Sequence, residues 1–181
     1  ARYGELLNLC RARGVLTPED PWPLFPGTEG LVIAPLFLGF DYSFGRPGEG
    51  RVEAVVRAAE AGLMPVDELR LGTDPWPDMS HWCWERCDRA LAKLQAIPPG
   101  HELVLVNHWP LRRDQVRLPG PLEAFHPWCG TTRTESWHVR FPVRAVVTGH
   151  LHIRSDAVLD GVGFHEVSLG YPRHWRSDLP P

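Results

Sequence analysis

Leu103-Val104-Leu105-Val106-Asn107-His108-Trp109-Pro110 and, further along, Val146-Val147-Thr148-Gly149-His150-Leu151-His152 are the two stretches whose reading decides the fold. Each opens as a short apolar run of the kind buried on both faces of a parallel sheet. Each then ends in histidine. In layered α/β folds, ligands bind at the carboxyl ends of strands. Gly149 lets the backbone approach closely, or adopt a positive φ, just before the second histidine group. A His-x-His pair offers two imidazoles to one metal ion or divides them between two, and neutral imidazole suits zinc, iron and manganese. A lone histidine among nine is an ordinary residue. The signal is the combination of both strand ends.

Outward from these strands the pattern alternates helix and strand. Residues 2–13 carry Tyr3, Leu6, Leu7, Leu9 and Cys10 at helical spacing, with Gly14 as the stop. Prolines make 17–30 a loop. Leu31 to Phe40 reads as a strand interrupted at Pro35, and 51–61 as a helix stopped by Gly62. A long helix runs from Asp78 to Ala96, with Trp82, Trp84, Cys87, Leu91 and Leu94 on its apolar positions. Residues 131–140 read as helix and Val143 to Val147 as a buried strand. Asp160-Gly161 joins a hairpin of 156–159 and 163–168. The order predicts an α/β fold, with 1–181 belonging to one domain.

Composition narrows the function. At 181 residues the chain is near one domain of about 150 residues. With 22 acidic against 19 basic residues it lacks the basic excess of a nucleic-acid or anionic-membrane binder. Its longest apolar run, Leu31 to Phe40, contains Pro35 and is too short to span a bilayer. Four cysteines in this length are not a disulfide framework, and no signal-peptide pattern opens the chain. A cytoplasmic protein is expected.

His108-x-Pro110 followed by Gly149-His150-x-His152 resembles the last two blocks of the calcineurin-like metallophosphoesterases. Val104 to Leu111, Trp128 to Thr134 and Val167 to Arg173 resemble the actinobacterial branch that includes the mycobacterial phosphopantetheine hydrolase, as do Tyr3 to Cys10 and Asp41-Tyr42-Ser43-Phe44. The resemblance implies a layered αββα sandwich with two divalent ions (Mn, Fe or Zn). It implies that His108 and His150 ligate the second ion and His152 the first. The implied substrate is a phosphomono- or phosphodiester, with holo-acyl carrier protein as the branch's partner. Two ions about 3.5–4 Å apart clamp a phosphate, activate water and stabilise the leaving oxygen.

The family's Asp-x-His, Gly-Asp and Gly-Asn-His blocks have no match. The sequence contains no Asp-x-His and no Gly-Asp, and its asparagines are Asn8 and Asn107. The expectation is therefore an amino-terminally truncated domain whose catalytic histidine and carboxylate ligands lie upstream. Such a fragment would be inactive and would carry an aggregation-prone open sheet edge. Three imidazoles would hold at most a single zinc ion. The alternative is a noncatalytic remnant or binding module. A cupin using His150-x-His152 fits poorly, because cupins need about eight strands.

Weaker features remain. Arg112 and Arg113, with Arg117, either steer a phosphate or an acidic carrier protein or are solvated loop charges. Thr131-Thr132-Arg133 starts a helix, binding an anion on free N–H groups or serving as a plain N-cap. Arg112, Arg113 and Arg133 are the substrate-binding candidates. His81-x-Cys83-x₃-Cys87 reads as helix packing rather than a zinc site. Trp109 and Trp128 are pocket walls at most.

Overall fold

A computed structural model describes residues 2–172. Arg173, the last residue of the Val167 to Arg173 resemblance, lies outside the described residues. Five strands form one mixed sheet: β1 (Leu31–Pro35), β2 (Glu102–Val106), β3 (Val143–Thr148), β4 (Ser155–Leu159) and β5 (Val162–Glu166). Their spatial order is β1-β2-β3-β5-β4. The first four neighbours are parallel, and β4 returns antiparallel to β5. Asp160 and Gly161 both have positive φ (52° and 81°), as a tight hairpin turn requires. The α/β class predicted from the sequence is the observed one.

Among the described residues, five α-helices accompany the sheet: α1 (Arg2–Ala12), α2 (Arg51–Glu60), α3 (Val66–Arg70), α4 (Met79–Gln95) and α5 (Trp137–Arg140). α4 is capped by Asp78, whose carboxylate accepts the His81 N–H at 2.9 Å. Its inner face of Cys83, Cys87, Ala90 and Leu94 packs with Leu103, Leu105, Val146 and Phe164 in the largest core cluster. Trp82 and Leu91 pack against the same cluster partly buried. His81 points elsewhere, pairing with Asp78 at 2.8 Å, so it shares no face with the two cysteines.

Several expectations need correction. β1 ends at Pro35, and 36–40 leave the sheet while staying largely buried. The Leu36 N–H makes one more bond, to the Val106 carbonyl at 2.7 Å, and Pro35 has no N–H to offer the outer edge. The Leu38 N–H instead donates to the Asn107 side chain at 3.1 Å. The predicted helix over 131–140 is a 3₁₀ turn, Thr132–Thr134, followed by the four-residue α5. Long-range bonds decide this. The Thr131 hydroxyl donates to Asp41 at 2.8 Å and the Thr134 hydroxyl to the Leu111 carbonyl at 2.7 Å. α3 and the 3₁₀ segment Gly120–Trp128 carry no sequence signal that marked them beforehand. The outer edge of β1 is not bare either. The Phe25 N–H donates to the Leu31 carbonyl and the Ile33 N–H to that of Pro23, at 2.7 and 2.9 Å.

The central strands are fully buried on one face only. Leu103, Leu105 and Val146 point into the core, whereas Ile33, Val104, Val106, Ala145 and Val147 are half-buried on the other face. That second face is apolar and half-covered.

Candidate metal centre

β2 and β3 are in register to their ends, with Val106 opposite Val147. The ladder then continues into the histidine segments. The Asn107 N–H donates to the Val147 carbonyl and the Gly149 N–H to the His108 carbonyl, both at 3.0 Å. Asn107 is buried, and its amide donates to the Trp109 carbonyl at 2.8 Å, so the turn after β2 is held from within. These bonds bring His108 Nε2 to 3.1 Å from His150 Nδ1. The two rings stand edge to face with centroids 5.0 Å apart. Trp109 walls the pair, its ring 4.7 Å from that of His108 and 5.5 Å from that of His150.

Burial lowers the pKa of His150 to about 3, reinforced by repulsion from His108 and His152 and opposed by a hydrogen bond to the Trp128 main chain. His108 is likewise lowered by burial, with Asp67 and Glu166 pulling the other way. Both rings are therefore neutral at pH 7. Bonds of about 2.0–2.1 Å from one ion place two ligand nitrogens roughly 2.9–3.4 Å apart. The observed 3.1 Å fits one shared ion.

His152 stands beside this pair without completing it. Its charge acts on both other imidazoles. Among the described residues, however, no three His, Cys, Asp or Glu side chains are grouped to hold one ion. The three-imidazole zinc site is therefore not built here. His152 has φ +57°, a conformation costing a β-carbon-bearing residue about 1–2 kcal/mol. Its N–H donates to the Ser168 hydroxyl at 3.2 Å, and its ring meets Tyr171 at 4.6 Å between centroids.

Two acidic residues escaped the sequence reading. Glu166 is buried at the end of β5 and accepts from the Leu151 N–H (3.4 Å), the Thr148 hydroxyl (3.3 Å) and the Ser168 N–H and hydroxyl. It holds the His150–His152 turn directly at Leu151 and, through Ser168, at His152. The available signal was alternation: Val162, Phe164 and Glu166 occupy the inward positions of β5, so a carboxylate falls where an apolar residue is expected. Asp67, on α3, is pushed up by burial and pulled down by His108. No pattern marked α3.

The substrate-binding candidates separate. Arg112 forms a fork with Asp114 (3.0 and 2.5 Å), and His138 Nε2 lies between Arg112 (2.9 Å) and Asp160 (2.8 Å) in the β4–β5 turn, bonding one of the two. That turn is at the opposite end of β5 from Glu166, so Arg112 is committed away from the histidines. Arg133 lies over Trp84 at 5.1 Å and pairs with Asp88 at 3.2 Å. The N–H groups of Thr132 and Arg133 are taken by the Ser43 and Thr131 hydroxyls, so this helix start is a plain cap. Arg113 donates only its main-chain N–H, to Glu135, and its guanidinium has no acceptor among the described residues. Asp41 is occupied by Ser43, Trp84 and Thr131.

No family model matches the sequence. Over 187 aligned positions, 99% of this chain, it is 42% identical to the acyl-carrier-protein phosphodiesterase PptH of Mycobacterium tuberculosis. The chain is similar to a phosphodiesterase. It spans 56% of that relative's length. It also matches the crystal structure of phosphopantetheinyl hydrolase PptH from Mycobacterium tuberculosis, with a TM-score of 0.90 and 42% identity, over 99% of this chain and 64% of that one. Among the described residues, no helix is long and apolar enough to cross a membrane.

Proposed function

We propose that this chain contributes the imidazole half of a two-metal phosphodiesterase site that acts on phosphopantetheine carried by an acyl carrier protein. The observation that carries the reading is the 3.1 Å approach of His108 Nε2 to His150 Nδ1 at adjacent strand ends, in a chain 42% identical to a phosphodiesterase. Bound divalent ions would supply Lewis-acid polarisation of the phosphate and an activated water. His108 and His150 would hold one ion and His152 would serve the other. Glu166 and Ser168 keep the His150–His152 turn in shape, and Trp109 excludes water from one side of the pair.

Two like charges at about 3.5–4 Å need a carboxylate between them to offset their repulsion. Asp67 and Glu166 act on His108 electrostatically, but among the described residues no three His, Cys, Asp or Glu side chains are grouped to hold an ion, so the reading assigns the bridging carboxylate to polypeptide outside these 181 residues. The half-covered apolar face of Ile33, Val104, Val106, Ala145 and Val147 supports this, since it suits a second packed layer. The same gap favours a noncatalytic role for the chain by itself.

Release of p-nitrophenol from bis(p-nitrophenyl) phosphate tests both. The 181-residue protein alone is expected to show no chelator-sensitive turnover. Joined to the part of the Mycobacterium tuberculosis relative outside the match, it is expected to hydrolyse the diester with manganese or iron. His150→Ala in that longer protein should cost at least about a hundredfold. Chelator-sensitive turnover by the short chain, or full activity in the His150→Ala protein, would contradict the reading.

A further inference from the structure

In a place whose lining contains none of His108, His150 and His152, the loop 45–50 and the segment 113–126 flank an open cleft of about 430 Å³ lined by residues that include Arg46, Arg57, Arg113, Glu123 and His126. A second cavity of about 440 Å³ adjoins it and shares Gly45, Arg46 and Arg113. The loop is firmly built. Glu49 receives the Arg57 guanidinium in a fork (2.6 and 2.7 Å) and accepts the Arg46 N–H at 3.0 Å. A β-carbon on Gly45 would fall 2.5 Å from Glu49 Oε2 and 3.0 Å from the Tyr42 carbonyl oxygen, so only glycine allows this approach.

The charge balance is the informative feature. Arg57 and Glu49 satisfy one another, and Arg51 in the neighbouring cavity is bound to Glu68. That leaves the guanidinium groups of Arg46 and Arg113 without an acceptor among the described residues, on the wall common to both cavities. Glu123 is the acid facing them in the first cavity; in the second, Asp41 is bonded to Trp84 and Thr131, and Glu49, which also acts on Arg46, is bonded to Arg57. His126 is held neutral by burial and by the field of Arg113, with Arg57 adding to it and Glu123 opposing, and its Nε2 has no partner among the described residues. Two free guanidiniums beside a neutralised imidazole favour a ligand of charge −2. The two adjoining concavities, open to solvent on one side, suit a small molecule better than a flat protein surface does.

We infer that Arg46 and Arg113 form a binding site for the phosphate group of a small phosphorylated molecule, separate from the histidine centre. Either guanidinium presents a planar fork to phosphate oxygens, and together they match a dianion. The inference does not depend on the phosphodiesterase reading, because no metal-binding residue takes part.

The test is an NMR titration of the chelator-treated 181-residue protein with inorganic phosphate, reading the ring C–H signal of His126 and assigning it by its loss in His126→Gln. Saturable movement of that signal is expected, because a bound dianion offsets the Arg113 field. Sodium chloride at equal ionic strength should leave it unmoved. Arg46→Ala and Arg113→Ala should each weaken the response about tenfold, Arg113→Lys less so, and His150→Ala should leave it intact. Far-ultraviolet circular dichroism confirms that each variant is folded, and both arginines are at the surface. A response absent from the parent protein, reproduced by chloride, or unchanged in both arginine→Ala variants overturns the inference. Loss in His150→Ala alone would assign the phosphate to the histidine centre and overturn it equally.

Discussion

Glu166→Ala is expected to lower stability by about 2–4 kcal/mol, because it strands several donors in a dry place. Glu166 is 7% exposed and Ser168 equally so, so water cannot replace the lost acceptor. The Ser168 hydroxyl and N–H, the Thr148 hydroxyl and the Leu151 N–H all lose their partner together. For a chain of this size that corresponds to a fall in melting temperature of roughly 5–15 °C. The effect is larger at the histidine turn than elsewhere, since Ser168 is also the acceptor for the His152 N–H. Amide hydrogen exchange should therefore show Leu151 and His152 losing protection while Leu105 and Val146 keep theirs. Denaturant unfolding checks the magnitude, and a midpoint within error of the parent would contradict the role given to Glu166.

Glu19→Ala carries a comparable expectation for a different reason. Arg86 is 7% exposed, its NH1 group lies 2.5 Å from Glu19 and its Nε donates to the Phe37 carbonyl at 3.0 Å. Removing one partner of such a pair leaves a buried charge unpaired, at about 3–5 kcal/mol. The Tyr3 hydroxyl donates to the same carboxylate at 2.6 Å, so α1 and α4 each lose one tie to the 17–20 loop while Arg11 and Lys93 keep theirs. Replacing both residues, as Glu19→Ala with Arg86→Met, should recover much of the loss. The pH dependence has a definite sign. Burial pushes the Glu19 carboxyl up, but hydrogen bonds from Tyr3 and Arg86 outweigh it and leave the group below its ordinary 4.5. The stabilisation is therefore complete above pH 4.5 and disappears as the pH falls through the depressed folded value. The Glu19→Ala protein should lose stability less steeply than the parent across that acid range. Parallel acid-unfolding curves would contradict the assignment.

The histidine pair was legible because its location depends on local rules. Continuous runs such as Leu103–Val106 become central strands, and their carboxyl ends are where the chain turns toward ligands. Asp160-Gly161 was legible for the same reason, since the turn needs two positive φ values and those residues tolerate them. The remainder depended on long-range bonds. Thr131-Thr132-Arg133 looks like a helix start, yet Asp41 and the Leu111 carbonyl, distant in sequence, hold Thr131 and Thr134 in a 3₁₀ turn. α3 is five residues with no buried side chain of its own, and Glu68 anchors it by bonding Tyr42, Trp128 and Arg51. Arg112 and Arg113 are neighbours with opposite fates. Nothing in their order shows that Asp114 takes the first and leaves the second free. The strands themselves misled in one respect, because an apolar run predicts cover on two faces while Val104 and Val106 receive only half of it.

The central claim is that His108 and His150 share one ion through the nitrogens that face each other. Anomalous diffraction at the zinc edge, from crystals of the 181-residue protein soaked in zinc, measures this directly. A peak is predicted about 2.0–2.1 Å from both His108 Nε2 and His150 Nδ1, and it should vanish in His108→Ala crystals soaked in the same way. Zinc bound elsewhere with this position empty, or a peak that survives His108→Ala, would contradict it.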